Sequence, residues 1–229
     1  METSVRSSMM KVIHVLLLAI GFAAPAFGAP PNATPDAGLD ATLDERVAQC
    51  ADCHGADGVS AHEDVPTIAG QDAAFLEKAL RTYREWGRPC IKSSYRAGDT
   101  TRPKTDMCRI AEGLSDEDMR ALAEHYAAQP FRAAPQPFDP VLAETGAALH
   151  HEHCDGCHGD GGEHADRGPR LGGQWVTYLK TAIRFVPTGE HLVPPAMEST
   201  VIDLSPQDID ALMHYYASQQ ASQPTGQPE

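Results

Sequence analysis

The sequence predicts an all-α protein built from two tandem copies of one small helical domain. Three observations predict this fold class: a five-residue cysteine motif occurs twice, the residues after it repeat in the same order, and apolar residues recur at helical spacing. No segment shows the alternating apolar and polar pattern that is typical of a strand. The 229 residues leave room for two modest domains.

The chain begins with the features of a secretory signal. Arg6 and Lys11 supply positive charge, residues 12–24 form an apolar run, and residues 26–28 offer small residues for cleavage. The apolar run is shorter than the roughly 20 residues that a membrane-spanning helix needs. We therefore expect residues 1–28 to be removed after export through the Sec pathway, leaving a periplasmic chain with no membrane span.

The overall charge limits the classes of partner. The chain has 18 Lys and Arg against 32 Asp and Glu, a net charge of −14. This balance argues against nucleic acid and anionic membrane surfaces as partners. It is compatible with docking to a basic protein surface, and also with the plain solvated surface of an acidic exported protein.

Four of the six cysteines lie in two identical frames, at residues 50–54 and 154–158. Each frame reads Cys-x-x-Cys-His, the pattern of c-type haem attachment, in which two thiols bond to the porphyrin and the adjacent His ligates the iron. Zinc knuckles do not require that His, and a thioredoxin-type motif would not usually occur twice. We therefore expect two covalently attached haem c groups, bound through Cys50, Cys53, Cys154 and Cys157 and ligated by His54 and His158.

The repeat continues well beyond the two motifs. In each copy a glutamine precedes a pair of large apolar residues, and a methionine later stands seven positions before a Leu-Ser pair. This shared order predicts one architecture for both copies. The repeated elements are Ala69-Gly70-Gln71, Phe75-Leu76, Met107 and Leu114-Ser115 in the first copy, and Gly172-Gly173-Gln174, Tyr178-Leu179, Met197 and Leu204-Ser205 in the second.

Capping residues and apolar spacing predict the helices. Ser115 and Ser205 are N-cap candidates, each with an Asp three residues later, and Pro206 suits a first helical position. Helices are also predicted in the middle of each copy and before each cysteine motif. The apolar stripes are Met119, Leu122, Ala123 and Tyr126; Ile209, Leu212, Met213 and Tyr216; Phe75, Leu76, Ala79, Leu80 and Tyr83; and Tyr178, Leu179, Ala182 and Ile183.

These signals divide the chain into segments. We expect the first domain at residues 37–128 and the second at 139–220, joined by a Pro-rich linker at 129–138. Residues 221–229 are polar and are predicted to form a disordered tail. Each domain is small, so a haem would supply much of the apolar body around which its helices pack.

Met107 and Met197 are the candidate sixth iron ligands, and both are predicted to lie in a loop before the last helix of their copy. A thioether opposite the His raises the reduction potential and closes the site, which suits electron transfer. The alternative is that the methionines only fill the core. Among the histidines, His191 is the reserve ligand, and we expect the others outside the two motifs to be solvated: His62, His150, His151, His153 and His164.

The first copy carries an insertion. Gln71 and Met107 are 36 positions apart, whereas Gln174 and Met197 are 23 apart, and Cys90 and Cys108 flank the extra residues. The simplest hypothesis is a Cys90–Cys108 disulfide, which would fix the segment that presents Met107 and contribute about 3 kcal/mol. The alternative is that Cys108 ligates the first haem as a thiolate.

The chain resembles the diheme cytochromes c of the cytochrome c4 type over residues 40–220. The resemblance lies in the paired Cys-x-x-Cys-His motifs, the Ala-Gly-Gln segment, and Gly-Leu-Ser-Asp-Glu-Asp at 113–118 before a helix that ends Tyr-Ala-Ala. It implies two class I cytochrome c domains related by a pseudo-twofold axis. It also implies His/Met ligation, carried here by His54 with Met107 and by His158 with Met197.

Within that group the chain looks most similar to the cytochrome subunit of flavocytochrome c sulfide dehydrogenase. The segments concerned are residues 142–150, Gly173-Gln174-Trp175, Arg109-Ile110-Ala111 and residues 216–220. The resemblance implies a periplasmic flavoprotein partner that oxidises sulfide and passes electrons to the first haem domain. The Cys90–Cys108 insertion departs from the pattern of both groups.

Three functions are therefore considered. The first is a non-catalytic relay subunit of a sulfide-oxidising flavoprotein complex that delivers electrons to a downstream acceptor. The second is a freestanding c4-type shuttle to a terminal oxidase. The third is a diheme enzyme, such as a thiosulfate dehydrogenase or a peroxidase-like protein, which would need an open or thiolate-ligated iron.

Overall fold

The computed structural model describes residues 41–163 and 168–220. The predicted leader at 1–28, the predicted tail at 221–229 and His164 lie outside the described residues. Within the described part, no helix combines the length and the apolar character needed to cross a membrane.

The described residues form nine helices in two successive groups. In the first copy these are α1 (Leu43–His54), α2 (Ala73–Arg84), α3 (Met107–Glu112) and α4 (Asp116–Ala127). In the second copy these are α5 (Pro140–His153), α6 (Gly159–Gly162), α7 (Val176–Arg184), α8 (Pro195–Asp203) and α9 (Pro206–Ser218). No strand forms in the described residues apart from an isolated bridge between Ser93 and Thr105, so the all-α prediction is confirmed.

The predicted helix starts of α4 and α9 are confirmed. The hydroxyl of Ser115 accepts the N–H of Asp118 at 3.0 Å, and the Asp118 carboxylate accepts the N–H of Ser115 at 2.9 Å. Ser205 and Asp208 form the same capping box, with Pro206 at the first turn of α9. The predicted middle helices are also confirmed as α2 and α7.

Each copy has its own apolar core, in which the last helix packs against the helix that leads into the cysteine motif. In the second copy α5 crosses α9 closely at Gly146, where a methyl group would lie 2.1 Å from the carbonyl oxygen of Ala211. The buried core residues are Leu76, Ala111, Leu114, Met119, Leu122, Ala123 and Tyr126 in the first copy, and Leu179, Leu212, Met213 and Tyr216 in the second.

The two copies contact each other reciprocally. The side chain of Gln71 bonds to the backbone of Arg170, and the side chain of Gln174 bonds to the backbone of Thr67. Each glutamine thus makes the same contact with the opposite copy, as a twofold relationship between the copies requires. The segment between the copies contacts the second copy: Ala134 donates its N–H to the carbonyl oxygen of Gly173 at 2.7 Å.

Candidate haem-binding sites

The first cysteine motif forms the last turn of α1. Thr42 caps the start of this helix, and Gly55, at φ 86°, ends it directly after His54. Cys50 lies three residues before Cys53 and four before His54 on a continuous helix, so all three side chains project from one face. One helical turn therefore presents two thiols and an imidazole together.

The ring of His54 is buried and fixed by a hydrogen bond. Its Nδ1 lies 2.9 Å from the carbonyl oxygen of Pro66. Because a carbonyl oxygen only accepts, Nδ1 carries the proton and Nε2 keeps its lone pair. Burial lowers the pKa of His54, which favours the neutral ring. A neutral imidazole with a free Nε2 is the form that binds iron.

The second motif holds its histidine in the same way as the first, but its backbone conformation differs. Residues 154–157 form turns after α5 instead of a helical turn, and His158 precedes the short α6. Gly156 inside this motif favours a turn over a helix. The Nδ1 of His158 nevertheless lies 2.8 Å from the carbonyl oxygen of Pro169, and burial lowers its pKa. Each copy therefore offers a neutral histidine held by a proline carbonyl.

A tyrosine of the last helix lies against the first thiol of each motif. The hydroxyl of Tyr126 lies beside the Cys50 thiol and donates to the carbonyl oxygen of Val47 at 3.3 Å. Burial raises the pKa of Cys50 to about 11. Tyr216 takes the corresponding position beside Cys154, whose pKa is also raised by burial. Both cysteines are therefore protonated at neutral pH before a haem is attached.

Known protein families match each copy of the repeat separately. The profile of the family described as Cytochrome c matches residues 45–126, and the profile described as Cytochrome C oxidase, cbb3-type, subunit III matches residues 141–215. Cytochrome c4 of Stutzerimonas stutzeri is 29% identical over 220 residues, which cover 90% of this chain and 98% of that protein. Cytochrome c-554(548) of Halomonas halodenitrificans is 33% identical over 93 residues, covering 41% of this chain and 99% of that protein.

The chain therefore belongs to the c-type cytochromes, as a diheme protein of the cytochrome c4 type. Solved structures of related proteins are also similar to it. Reduced cytochrome c4 from Pseudomonas stutzeri has a TM-score of 0.63 and 27% identity, covering 77% of this cytochrome and 96% of that chain. Thiosulfate dehydrogenase (TsdBA) from Marichromatium purpuratum has a TM-score of 0.57 and 28% identity, covering 74% of this cytochrome and 36% of that chain.

This cytochrome carries two covalently attached haem c groups and transfers electrons. The side chains of both motifs fit such a group. Each copy supplies two cysteines at the attachment spacing and one buried histidine with an available Nε2. When bound, each haem supplies a one-electron couple between ferric and ferrous iron.

The two candidate methionine ligands lie in helices, so the prediction that they occupy loops is wrong. Met107 is the first residue of α3, which begins there because the Asp106 side chain accepts the N–H of Arg109 at 3.0 Å. Met197 lies in the first turn of α8, which Pro195 starts. Both side chains are half-buried. They keep corresponding places before the last helix of each copy.

His150 is buried, which corrects the prediction that it is solvated. It lies on the face of α5 that packs against α9 and is 1% exposed. Its Nε2 donates to the carbonyl oxygen of His158 at 3.0 Å, and its Nδ1 accepts from the hydroxyl of Tyr216 at 3.0 Å. His150 therefore joins the second motif to α9 with both ring nitrogens in use.

His191 is also buried, with its Nδ1 2.9 Å from the carbonyl oxygen of Ala182. Burial lowers its pKa, so the neutral ring is favoured with Nε2 as the unprotonated nitrogen. His191 therefore has the same protonation pattern as His54 and His158. It stays the reserve candidate that the sequence predicted as an iron ligand.

The insertion of the first copy folds onto the first motif. The N–H groups of Arg96 and Ala97 both donate to the carbonyl oxygen of Asp52, at 2.7 and 2.9 Å. Arg102 forms an ion pair with the Asp52 carboxylate, and its guanidinium lies 3.5 Å from the ring centroid of Tyr95. The insertion thus covers the part of the motif that lies between the two cysteines.

Cys90 and Cys108 are joined by a disulfide, with their Cα atoms 5.6 Å apart. Cys108 is fully buried. Because its sulfur is bonded to Cys90, Cys108 has no thiolate to offer an iron in this state. The disulfide ties the insertion to α3 at the residue next to Met107.

Two prolines that were not predicted as site residues hold the histidine rings. Pro66 and Pro169 each stand five positions before the repeated glutamine of their copy, at Gln71 and Gln174. Extending the repeat towards the motifs would have found them. The hydroxyl contacts of Tyr126 and Tyr216 could not be found this way, because apolar spacing explains those residues equally well.

Proposed function

We propose that this protein is a periplasmic, freestanding electron relay of the cytochrome c4 type. Cys50 with Cys53, and Cys154 with Cys157, attach the two haems. His54 and Met107 ligate the first iron, and His158 and Met197 ligate the second. Electrons enter through one copy, pass to the other and leave to an acceptor protein.

The observation that carries this proposal is the matched pair of histidines. His54 and His158 are both buried, both held by a proline carbonyl through Nδ1, and both directly preceded by the second cysteine of a motif. The reciprocal hydrogen bonds between the copies place both motifs in one body. Two one-electron sites in fixed relation suit a relay.

Ligation by Met107 and Met197 would leave no open position on either iron. An iron with both axial positions filled favours electron transfer over chemistry on a bound substrate. The disulfide at Cys108 supports this assignment because it removes the competing thiolate. The disulfide also supports export, since such bonds persist in oxidising compartments.

The two predicted relay roles, freestanding shuttle and flavoprotein subunit, differ in the partner protein. The cytochrome c4 relative spans almost the whole of this chain, which supports the freestanding shuttle. The similar thiosulfate dehydrogenase structure supports a partner protein that oxidises sulfur compounds. The subunit role in a sulfide-oxidising flavoprotein complex rests on the sequence resemblance alone, and we keep it as the competing proposal.

Gentle purification from the native periplasm tests this proposal. The expected product is a single chain with two haems, no flavin absorption and a near-infrared methionine-to-iron band in the ferric state. A flavin spectrum together with a co-purifying larger chain would instead assign the protein to a flavoprotein complex. A single haem per chain would overturn the diheme assignment itself.

A further inference from the structure

Two glutamines make the same pair of hydrogen bonds in opposite directions across the junction between the copies. The Oε1 of Gln174 accepts the N–H of Thr67 at 2.9 Å, and its Nε2 donates to the carbonyl oxygen of Thr67 at 2.8 Å. The Oε1 of Gln71 accepts the N–H of Arg170 at 2.9 Å, and its Nε2 donates to the carbonyl oxygen of Arg170 at 3.2 Å.

Each glutamine bonds to the peptide group that holds the haem-ligand histidine of the other copy. The peptide between Pro66 and Thr67 accepts from Nδ1 of His54 through its oxygen, at 2.9 Å, and donates to Gln174 through its nitrogen. The equivalent peptide between Pro169 and Arg170 joins His158 to Gln71. A continuous chain of two hydrogen bonds thus runs from each histidine to a glutamine of the other copy.

The surroundings make these chains strong. Thr67, Gln71 and Gln174 are 1%, 4% and 2% exposed, so little water competes for the amide groups. In such an environment hydrogen bonds in series polarise one another, by about 10–30% per bond. When the glutamine accepts the peptide N–H, the carbonyl oxygen at the other end of that peptide becomes a better acceptor for the histidine.

We propose that Gln174 and Gln71 are positioning residues that set the reduction potential of the haem in the opposite copy. This inference rests on the proposed ligation of iron by His54 and His158. A stronger hydrogen bond at Nδ1 places more electron density on the imidazole, and a more electron-rich ligand favours ferric iron. Each glutamine therefore lowers the potential of the other copy's haem.

The test is to replace each glutamine with methionine, which keeps the length of the side chain and removes both amide hydrogen bonds. The potentials of the two haems are measured separately in the holoprotein, by a redox titration followed through NMR signals assigned to each haem. We expect Gln174→Met to raise the potential of the first haem and Gln71→Met to raise that of the second. In the reduced protein, the Nδ1 proton of His54 moves upfield only in Gln174→Met.

Trp175→Phe is the matched control. It removes another hydrogen bond across the same junction, from Nε1 of Trp175 to the carbonyl oxygen of Ser60 at 2.9 Å, without touching the peptide beside Pro66. We expect no selective shift of the first haem in this variant. If Trp175→Phe shifts that haem as much as Gln174→Met, loosening of the junction explains the effect and the inference is wrong.

Gln174→Glu provides a second variant should the methionine variant fold poorly. At this buried position the carboxyl group is held neutral: it still accepts the N–H of Thr67 and donates to its carbonyl oxygen, but it accepts more weakly than an amide. We therefore expect the first haem potential to rise, by less than in Gln174→Met. Shifts confined to the haem of the mutated copy, or no shift in any variant, would overturn the inference. Absence of histidine-ligated haems from the wild-type protein would instead overturn the proposed function.

Discussion

The backbone N–H of Arg96, in the insertion, donates a hydrogen bond of 2.7 Å to the carbonyl oxygen of Asp52, between the two cysteines of the first motif. At Gly98 the insertion comes so close that a methyl group would lie 2.7 Å from Oδ1 of Asp52, and φ is +62° there. The shorter second copy lacks this insertion. The two haem sites thus differ in what covers the attachment motif.

Arg102→Ala should loosen the insertion without loss of haem. The substitution removes the ion pair with Asp52 and the contact with the Tyr95 ring. We expect faster cleavage within residues 94–104 under limited proteolysis, with both haems retained. Arg120→Ala, which breaks an exposed ion pair with Glu117 on α4, is the control and should leave the cleavage rate unchanged. Equal cleavage rates in the two variants would contradict a bracing role for Arg102.

Replacing Cys90 and Cys108 with alanine should destabilise the first copy. The bond closes a loop with a sequence separation of 18, which corresponds to about 3 kcal/mol of unfolding free energy in the chain-entropy model. Urea unfolding of the oxidised holoprotein measures this loss. Reduction of the wild type should produce a similar loss beyond the change that the same reductant, which also reduces the haem iron, causes in the double variant. A double variant as stable as the wild type would contradict the prediction.

Gly168→Ala should disturb the second haem site. A methyl group there would lie 2.5 Å from Cε1 of His158, and the ring cannot easily move away because its Nδ1 is bonded to the carbonyl oxygen of Pro169. We expect a lower haem content or an altered spectrum of the second haem. Gly159→Ala is the matched control directly after the motif, since a methyl group there meets no atom within 4 Å. Identical haem content and spectra in the two variants would refute this expectation.

The capping box of α9 should make stability depend on pH in the acid range. Hydrogen bonds from the hydroxyl and the N–H of Ser205 hold the pKa of Asp208 below its usual range. The stabilisation is therefore present above the unfolded carboxyl pKa of about 3.9 and is lost as the pH falls through the folded pKa. Asp208→Asn should lower the urea midpoint at pH 7, with a difference from wild type that shrinks below about pH 4.

Two comparisons complete this test of the cap. Ser205→Ala removes the N-cap oxygen and should cost about 1 kcal/mol at neutral pH. Asp203→Asn, at an exposed residue of α8, is the control and should not lower the urea midpoint at pH 7. A constant difference between wild type and Asp208→Asn from pH 7 to pH 3 would show that the Asp208 carboxylate does not supply the effect.

Helix caps and apolar spacing predicted the helices because both depend on residues that are close together in the sequence. Ser115 and Ser205 cap the helices that they were expected to cap, and the repeated apolar stripes form α2, α4, α7 and α9. Met107 and Met197 were predicted in loops because Asp106 was not recognised as an N-cap and Pro195 was not recognised as the first residue of a helix. These are short helices whose only strong signals lie at their first residues.

The contacts between distant segments could not be predicted in the same way. His150 sits in a run of histidines that looks solvated, yet it is buried because the hydroxyl of Tyr216 and the carbonyl oxygen of His158 satisfy both ring nitrogens. The bonds of Gln71 and Gln174 depend on how the two copies dock. The sequence identified the glutamines as a repeat, and only the structure shows which backbone groups they hold.

The most direct test of the diheme relay is the near-infrared absorption of the ferric protein, measured per chain for the wild type, Met107→Ala and Met197→Ala. Two His/Met haems predict a methionine-to-iron band of two-haem intensity in the wild type and of half that intensity in each variant. A Met197→Ala variant with the full band would contradict the account and point to another ligand such as His191. A wild-type protein without the band would contradict the assignment of both methionines.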